Sequence, residues 1–330
     1  MIRTIAYPRA ALIGNPSDGY FGKTIAFVFR NFSTEVELKE SKHLEIIPDI
    51  RDRLEFAGIT ELVDEVKQNG YYGGIRLLKA TIKTLHDYCG KHEIKLPQKN
   101  FTISFSSTIP DRLGLAGSSA IVTAAMKAMT QFYEIEIPKP ILANLILAVE
   151  KDELKIGAGL QDRVAQVYNC PVFMNFDKKI FDSQGFGEYI PFDKNILPPL
   201  YIAYRANLSE GSEITHNDLA ARHAKKEPAV LEAVSQWIGL AEQVWESLQK
   251  GNKNIGELLN RNFDIRRKVC SVSKGNIELV ETARTVGASS KFTGSGGAII
   301  GAYNGEAMFN ALTVAMKKIN AVVIKPEIIC

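Results

Sequence analysis

The residues best suited to chemistry lie in one stretch, 110–120, with the sequence PDRLGLAGSSA. Apolar residues follow at helical spacing, so Ser118 and Ser119 would begin a helix. Unpaired backbone N–H groups and the positive end of the helix dipole attract an anion there. Gly114 and Gly117 allow the backbone to approach that anion closely. The stretch predicts a phosphate site, although an ordinary serine-capped helix would show the same pattern.

Two acidic residues further along the chain are candidates for chemistry beside such a phosphate. Glu150 directly follows the apolar face of a predicted helix that begins near Pro138. Asp162 lies in the first turn of the next predicted helix, where the helix N-terminus keeps a carboxylate ionised. Each has a plainer interpretation: Glu150 as a solvated helix end, and Asp162 as an acid that only stabilises its helix.

Two more turns are candidates for ligand contacts. A short buried strand, 9–14, enters the turn NPSDG at 15–19, which exposes Asp18. A second glycine-rich loop, KFTGSGGA at 291–298, enters an apolar strand. The string GKT at 22–24 suggests a P-loop, but Ser17 stands where that motif needs glycine, and a strand pattern follows instead of a helix. We therefore reject a P-loop and expect Lys23 at a strand edge.

Composition limits the class of protein. The 330 residues carry a formal charge of +3 from 40 basic and 37 acidic side chains, with no basic arm, so nucleic-acid binding is not expected. The most apolar helical stretch, 140–149, is shorter than the roughly 20 residues that a membrane span needs. No targeting segment is found, so we expect a cytoplasmic location. Four scattered cysteines without a C-x-x-C pair indicate reduced thiols, not a disulfide framework or a zinc site.

The order of predicted elements is that of an α+β protein. Predicted strands cover 9–14, 25–29, 34–38, 101–105, 172–176, 200–204, 298–303 and 321–324, and predicted helices cover 73–90, 118–133, 138–150, 160–167, 227–249, 254–269, 276–286 and 306–318. A chain of this length is expected to form two domains. Pro198 and Pro199 mark the expected boundary, which gives domains of 1–195 and 196–330.

Taken in order, these motifs resemble those of the GHMP small-molecule kinases over nearly the whole chain. The phrases GNPSD, AGLQDRVAQVY, NFDIRR and GASSKFTGSGGA are similar to the glucuronokinase branch, which makes a sugar-acid 1-phosphate. Two departures are visible: Asn15 and Pro16 stand where many sugar kinases carry a Glu-His pair, and GLAGSSA replaces the commoner GLGSSA. The resemblance implies a first domain like ribosomal protein S5 domain 2, a ferredoxin-like second domain, and a site between them.

The resemblance also implies roles for individual residues. Gly114, Leu115, Ala116, Gly117, Ser118 and Ser119 would bind the ATP phosphates. Ser119 and Glu150 would hold Mg²⁺, which prefers oxygen ligands. Asp162 would accept the proton of the substrate hydroxyl, with Arg9 beside it and beside the transferring phosphate. Asp18 would bind sugar hydroxyls, and Gly294, Ser295 and Gly296 would close on the phosphates or line the substrate site.

The implied activity is transfer of a phosphoryl group from ATP to the anomeric hydroxyl of D-glucuronate. An arginine suits a substrate carboxylate, because its planar fork makes two parallel charge-assisted bonds. Arg266, four residues after Asn262 on one helix face, is the favoured candidate, and the others are Arg163, Arg205 and Arg267. Two alternatives stay open: a kinase for a neutral sugar such as galactose, fucose or a heptose, and a GHMP-fold protein that binds a ligand without catalysis.

Overall fold

The computed structural model describes residues 1–49, 52, 55–69, 73–208 and 212–330. Its strands are β1 (Ile2–Ala6), β2 (Arg9–Ile13), β3 (Lys23–Val28), β4 (Thr34–Ser41), β5 (Glu45–Ile46), β6 (Asn100–Ser107), β7 (Val172–Asn175), β8 (Glu188–Pro191), β9 (Leu200–Tyr204), β10 (Lys291–Phe292), β11 (Ala298–Ala302) and β12 (Val322–Ile324). Its α-helices are α1 (Ile59–Asn69), α2 (Gly74–Lys91), α3 (Gly117–Phe132), α4 (Lys139–Ala148), α5 (Gln161–Tyr168), α6 (Lys178–Gln184), α7 (Ser212–Ala224), α8 (Pro228–Gln249), α9 (Gly256–Val269), α10 (Lys274–Thr285) and α11 (Gly305–Lys318).

The mixture of helices and sheets confirms the predicted α+β class. Each predicted strand and helix corresponds to an observed element, with ends that differ by a few residues. The prediction missed β1, β5, β8 and β10 and helices α1, α6 and α7. The missed strands are short or partly exposed, and α6 has no buried residue, so apolar periodicity is weak in these segments.

The strands form three sheets of four. Their orders are β1-β4-β6-β5, β2-β3-β7-β8 and β10-β11-β9-β12. Neighbouring strands are antiparallel, except that β5 runs parallel to β6. Helix α3 packs on the first sheet and α2 packs on α3, while α10 and α11 pack together beside the third sheet.

Strand β2 lies at the centre of the molecule. Its five residues are all buried, between 0% and 4% exposed. Helices α5, α8 and α9 all contact β2, and α5 and α8 also contact β3. A strand buried on both faces forms a rigid platform for side chains at its ends.

The strands of the first two sheets lie before residue 196 and those of the third lie after it. Helix α8, from the second half of the chain, packs on β2 and β3 from the first, and one apolar core includes residues of both halves. The boundary between 195 and 196 stays a prediction. Within the described part of the chain, no helix is long and apolar enough to cross a membrane.

Candidate functional site

Strand β2 forms backbone hydrogen bonds with both of the glycine-rich loops that were predicted to bind ligands. The backbone N–H of Arg9 donates to the carbonyl of Leu115 at 3.0 Å, in the loop before α3. The N–H of Ala11 donates to the carbonyl of Thr293 at 2.9 Å, in the loop after β10. The two loops, about 180 residues apart in sequence, therefore meet along one buried strand.

The same loops also contact each other directly. Gly114 has a φ of +64°, in the left-handed region, and the Thr293 hydroxyl donates to its carbonyl at 3.3 Å. A Cβ atom on Gly294 would clash with that carbonyl oxygen. Both glycines are therefore required by the close approach of the loops.

The loop at 110–116 delivers the chain to the start of α3, as predicted. The residue before the helix, Ala116, has a φ of 62°, and the helix begins at Gly117. The Ser118 hydroxyl donates to Glu150 Oε1 at 2.8 Å. The Ser119 hydroxyl, from a side chain only 1% exposed, donates to the Ala116 carbonyl at 3.1 Å. The geometry thus places Ser118 beside the predicted metal ligand and turns Ser119 back to its own helix start, which does not support the expected pairing of Ser119 with Glu150.

Glu150 is buried, so the interpretation as a solvated helix end is wrong. It is 1% exposed and lies in a π-helical turn, Val149–Glu153, that directly follows α4. Such turns reorient a side chain out of the regular helix and are frequent at functional sites. Arg163, also buried, donates to Glu150 Oε2.

Arg163 links the two predicted acidic residues of the site. Besides Glu150, its guanidinium contacts Asp162 Oδ2 at 3.2 Å and the Gly159 carbonyl at 2.8 Å. Burial alone would lower the pKa of Arg163, but the charges of Glu150 and Asp162 outweigh burial and raise the pKa. Arg163 is therefore cationic, and it balances one of the two acids.

Asp162 lies in the first turn of α5, as the sequence pattern predicted, and it faces Arg9, as the family resemblance implied. Arg9 Nη2 lies 2.6 Å from Asp162 Oδ1. Arg9 also donates to the carbonyls of Thr293 and, at 3.4 Å, Gly114. One buried guanidinium thus connects the carboxylate to both glycine loops.

Asp18 lies near both Asp162 and Arg9. It belongs to a short 3₁₀ helix, Ser17–Tyr20, and its Oδ1 accepts a hydrogen bond from Gln161 Nε2 at 3.0 Å. Burial and the nearby charge of Asp162 raise the pKa of Asp18 to about 6, although Arg9 acts in the opposite direction. Asp18 and Asp162 are therefore close enough to interact electrostatically.

Asn262 and Arg266 lie on one face of helix α9, as the spacing predicted. Both side chains form hydrogen bonds with the backbone of loops at the site. Asn262 accepts from the Gly14 N–H at 2.9 Å and donates to the Asn15 carbonyl at 3.1 Å. Arg266 donates to the carbonyls of Gly294 and Ser295 at 2.8 and 3.0 Å and is 3% exposed. This geometry does not support the expectation that Arg266 binds a substrate carboxylate, because backbone carbonyls engage both terminal nitrogens.

The other arginines considered for a carboxylate also have protein partners. Arg163 binds Glu150 and Asp162. Arg205 pairs with Glu278 at 2.7 Å, and Arg267 pairs with Glu281 at 3.0 Å. A guanidinium held by an acid is less available to a second anion.

Two residues of the site were missed by sequence reasoning. Gln161 directly precedes the predicted base, but a glutamine at the start of a helix forms no sequence pattern that identifies it as a site residue. Lys291 is 1% exposed, and its Nζ donates to the Ala11 carbonyl at 2.6 Å, which ties β10 to β2. Burial, with Arg266 and Arg9 nearby, lowers the pKa of Lys291 well below its usual value. A lysine in a sequence normally indicates exposure, so nothing in the pattern pointed to a buried one.

The residues suited to a metal ion are few. Among the described residues, no group of three or more His, Cys, Asp or Glu side chains could hold one. Glu150 and Ser118 offer a carboxylate and a hydroxyl at the start of α3. Such a pair fits Mg²⁺, which in kinase sites takes one or two protein carboxylates and completes its shell with water and substrate phosphate.

Comparisons with known proteins identify the family of this chain. The family model of the GHMP kinases N terminal domain matches residues 76–170. Glucuronokinase 1 of Arabidopsis thaliana is 42% identical over 302 residues, which cover 89% of this chain and 83% of that protein. Probable glucuronokinase 2 of the same plant is 43% identical over 303 residues, which cover 89% and 82%.

The fold is also that of solved structures. The mevalonate kinase of Methanococcus jannaschii superposes with a TM-score of 0.73 at 20% identity, over 100% of this chain and 98% of that one. At that identity the similarity concerns the fold alone, and it confirms the expected GHMP architecture. The chain therefore belongs to the GHMP kinase family, in the branch that includes the glucuronokinases, and is an ATP-dependent phosphotransferase that acts on a hydroxyl group.

Proposed function

We propose that the protein transfers the γ-phosphoryl group of ATP to the anomeric hydroxyl of D-glucuronate and releases glucuronate 1-phosphate. The observation that carries the proposal is the Arg9–Asp162 pair, 2.6 Å apart, at the meeting point of two glycine-rich loops. The choice of glucuronate comes from the relatives that are more than 40% identical to this chain and are named as glucuronokinases.

The phosphates of ATP bind at the start of α3. The loop residues Gly114, Leu115 and Ala116 and the first turn of the helix, from Gly117, would offer their backbone N–H groups to a phosphate. Glu150 and Ser118 would hold Mg²⁺ beside it. When bound, that ion neutralises charge on the phosphate oxygens.

Asp162 acts as the general base. It accepts the proton of the attacking hydroxyl, while Arg9 keeps the carboxylate oriented through the 2.6 Å contact. Arg9 also carries a positive charge next to the loops that surround the transferring phosphoryl group, where it offsets developing negative charge. In phosphoryl transfer most of the catalytic effect comes from such positioning and charge compensation.

The acceptor binds between Asp18 and the loop of Gly294, Ser295 and Gly296. Asp18 offers carboxylate oxygens to sugar hydroxyls. Arg266 and Asn262 hold the two loops that form the walls, so we propose that both act on the substrate through those loops. We therefore propose that the residues of the pocket bind the sugar carboxylate together, and that Arg266 does not bind it alone.

A coupled assay of ADP release, run across uronates, neutral sugars and mevalonate, tests the proposal. We expect the highest kcat/KM with D-glucuronate, and ³¹P NMR of the product should identify an anomeric phosphate. The Asp162→Asn variant serves as the control for background ATP hydrolysis. A higher kcat/KM for galactose, fucose or a heptose would assign the enzyme to a neutral sugar, and no acceptor-dependent release would favour a binding protein without catalysis.

A further inference from the structure

Gln161 occupies the position between the acceptor-binding carboxylate and the proposed base. It is the first residue of α5, it is 6% exposed, and Asp162 follows it in the chain. Its Nε2 donates to Asp18 Oδ1 at 3.0 Å. The opposite orientation of the amide would set Oε1 against a carboxylate oxygen, so the contact fixes which end of the amide faces Asp18.

With the residues that the structure describes, the oxygen of the Gln161 amide makes no hydrogen bond that would stabilise the fold. Gln161 Oε1 is buried, and no donor in the described ranges of the chain reaches it. Leaving a buried acceptor unpaired is unfavourable, so the side chain is not placed there to stabilise the fold. Gln166, one helical turn and a residue further along α5, is the contrast: its amide bonds the carbonyls of Tyr7 and Ala116 and accepts from Thr123.

Gly159, two residues before Gln161, makes room for the same carboxylate. A Cβ atom on Gly159 would clash with Asp18 Oδ2. One short segment, 159–162, therefore supplies the space for Asp18, the donor that orients it, and the base itself. The position of Asp18 relative to Asp162 therefore depends on these four residues.

We infer that Gln161 is a positioning residue, which orients Asp18 so that a sugar hydroxyl bound to it places the anomeric hydroxyl at Asp162. This inference rests on the proposed function, since it assigns Asp18 to the acceptor and Asp162 to proton acceptance. It extends that function by making the placement of the sugar depend on an amide that bonds Asp18, whereas the proposed metal ligands Ser118 and Glu150 bond each other and Arg163. Gln161 acts through Asp18, so its effect exists only while Asp18 has a carboxylate.

A double-mutant cycle on the full-length protein tests the inference. Gln161→Met removes the donor with little change in volume, and we expect kcat/KM for the acceptor to fall by about tenfold or more while KM for ATP stays within about twofold. In an Asp18→Ala background the same substitution should cost less than about twofold, because no carboxylate remains to be oriented. Gln161→Asn, which retains an amide, should recover part of the loss.

Gln166→Met is the matched control and should lower kcat/KM by the same factor in both backgrounds. Equal effects of Gln161→Met with and without the Asp18 carboxylate would overturn the inference, as would a matching rise in KM for ATP. If Gln161→Met does not fold, Gln161→Ala, which also removes the donor to Asp18, is carried through the same cycle, and its loss should again be selective for the acceptor and shrink in the Asp18→Ala background. The assay uses the sugar that the wild type phosphorylates fastest. The identity of that sugar tests the proposed function, whereas the difference between the effects of Gln161→Met with and without the Asp18 carboxylate tests the role of Gln161.

Discussion

Arg9 Nη2 lies 2.6 Å from Asp162 Oδ1, and the same guanidinium donates to the carbonyls of Thr293 and Gly114. The proposed base is therefore held by the residue that also joins the two glycine-rich loops. A shift in either loop would move Arg9 and with it the carboxylate. Base and phosphate site are positioned as one unit, which suits a reaction whose rate depends on alignment.

Asp162→Asn is expected to lower kcat by roughly 10² to 10⁴, the usual effect of removing a positioned acid–base group, with little change in the affinity for ATP. The amide keeps the size of the side chain and can still accept from Arg9, but it cannot take the proton. Steady-state kinetics and a nucleotide titration measure the two effects.

Asp264→Asn is the matched control, because Asp264 also lies on a helix with an arginine partner, Arg284, at 2.8 Å. Its kcat should stay within about twofold of the wild type. Wild-type kcat in Asp162→Asn would mean that Asp162 only stabilises the start of α5.

Much of this site could be predicted from the sequence because its parts follow local rules. Ser118 stands where a glycine turn enters an apolar helix, and Asp162 stands in a first helical turn, so both positions are set by neighbouring residues. The spacing of Asn262 and Arg266 correctly predicted that they share one face of α9, and in the structure that face contacts the loops.

What the sequence could not provide were contacts between distant segments. The choice of Ser118 over Ser119 as the neighbour of Glu150 depends on how α3 packs against the turn after α4. The partners of Arg266 lie 28 and 29 residues away in a loop that no periodicity places beside α9. The burial of Lys291 likewise follows from the docking of β10 on β2.

Ser118→Ala is expected to raise the Mg²⁺ concentration needed for half-maximal activity by several-fold, because it removes an oxygen next to Glu150. Ser119→Ala should leave that requirement unchanged and lower the free energy of unfolding by about 1 kcal/mol, since it removes only a hydrogen bond to Ala116. Titration of activity with Mg²⁺ and thermal unfolding separate the two. The reverse result would restore Ser119 as the metal-binding serine.

Asp18→Asn is expected to lower acceptor kcat/KM and to stabilise the protein at neutral pH. Asp18 has a pKa of about 6 in the folded protein, against an ordinary value of 3.8 for an aspartate, so ionisation costs stability as the pH rises from about 4 to about 6. Asparagine has no such cost. The variant should therefore gain about 1 to 3 kcal/mol in the free energy of unfolding at pH 7, at about 1.4 kcal/mol for each pKa unit.

Urea unfolding of wild type and Asp18→Asn between pH 4 and pH 8 checks the sign. The difference in the free energy of unfolding should be small near pH 4, grow through pH 5 and level off above pH 6. A constant difference across this range would show that the carboxyl ionises normally. Over the same range, wild-type kcat/KM should fall below pH 6 as Asp18 becomes protonated and loses an acceptor oxygen.

Arg266→Ala is expected to lower kcat/KM for glucuronate and for glucose by the same factor. Its guanidinium donates to the Gly294 and Ser295 carbonyls and lies 5.1 Å from the centre of the Phe292 ring, so its loss releases the loop whichever sugar is bound. Unfolding should become easier by roughly 1 to 3 kcal/mol, because two buried carbonyls lose their donors. Arg267→Ala, next in the chain but about half exposed and paired with Glu281, is the matched control and should change neither quantity measurably. Kinetics with both sugars decide the point: a loss at least tenfold larger for glucuronate than for glucose would mean that Arg266 binds the carboxylate after all.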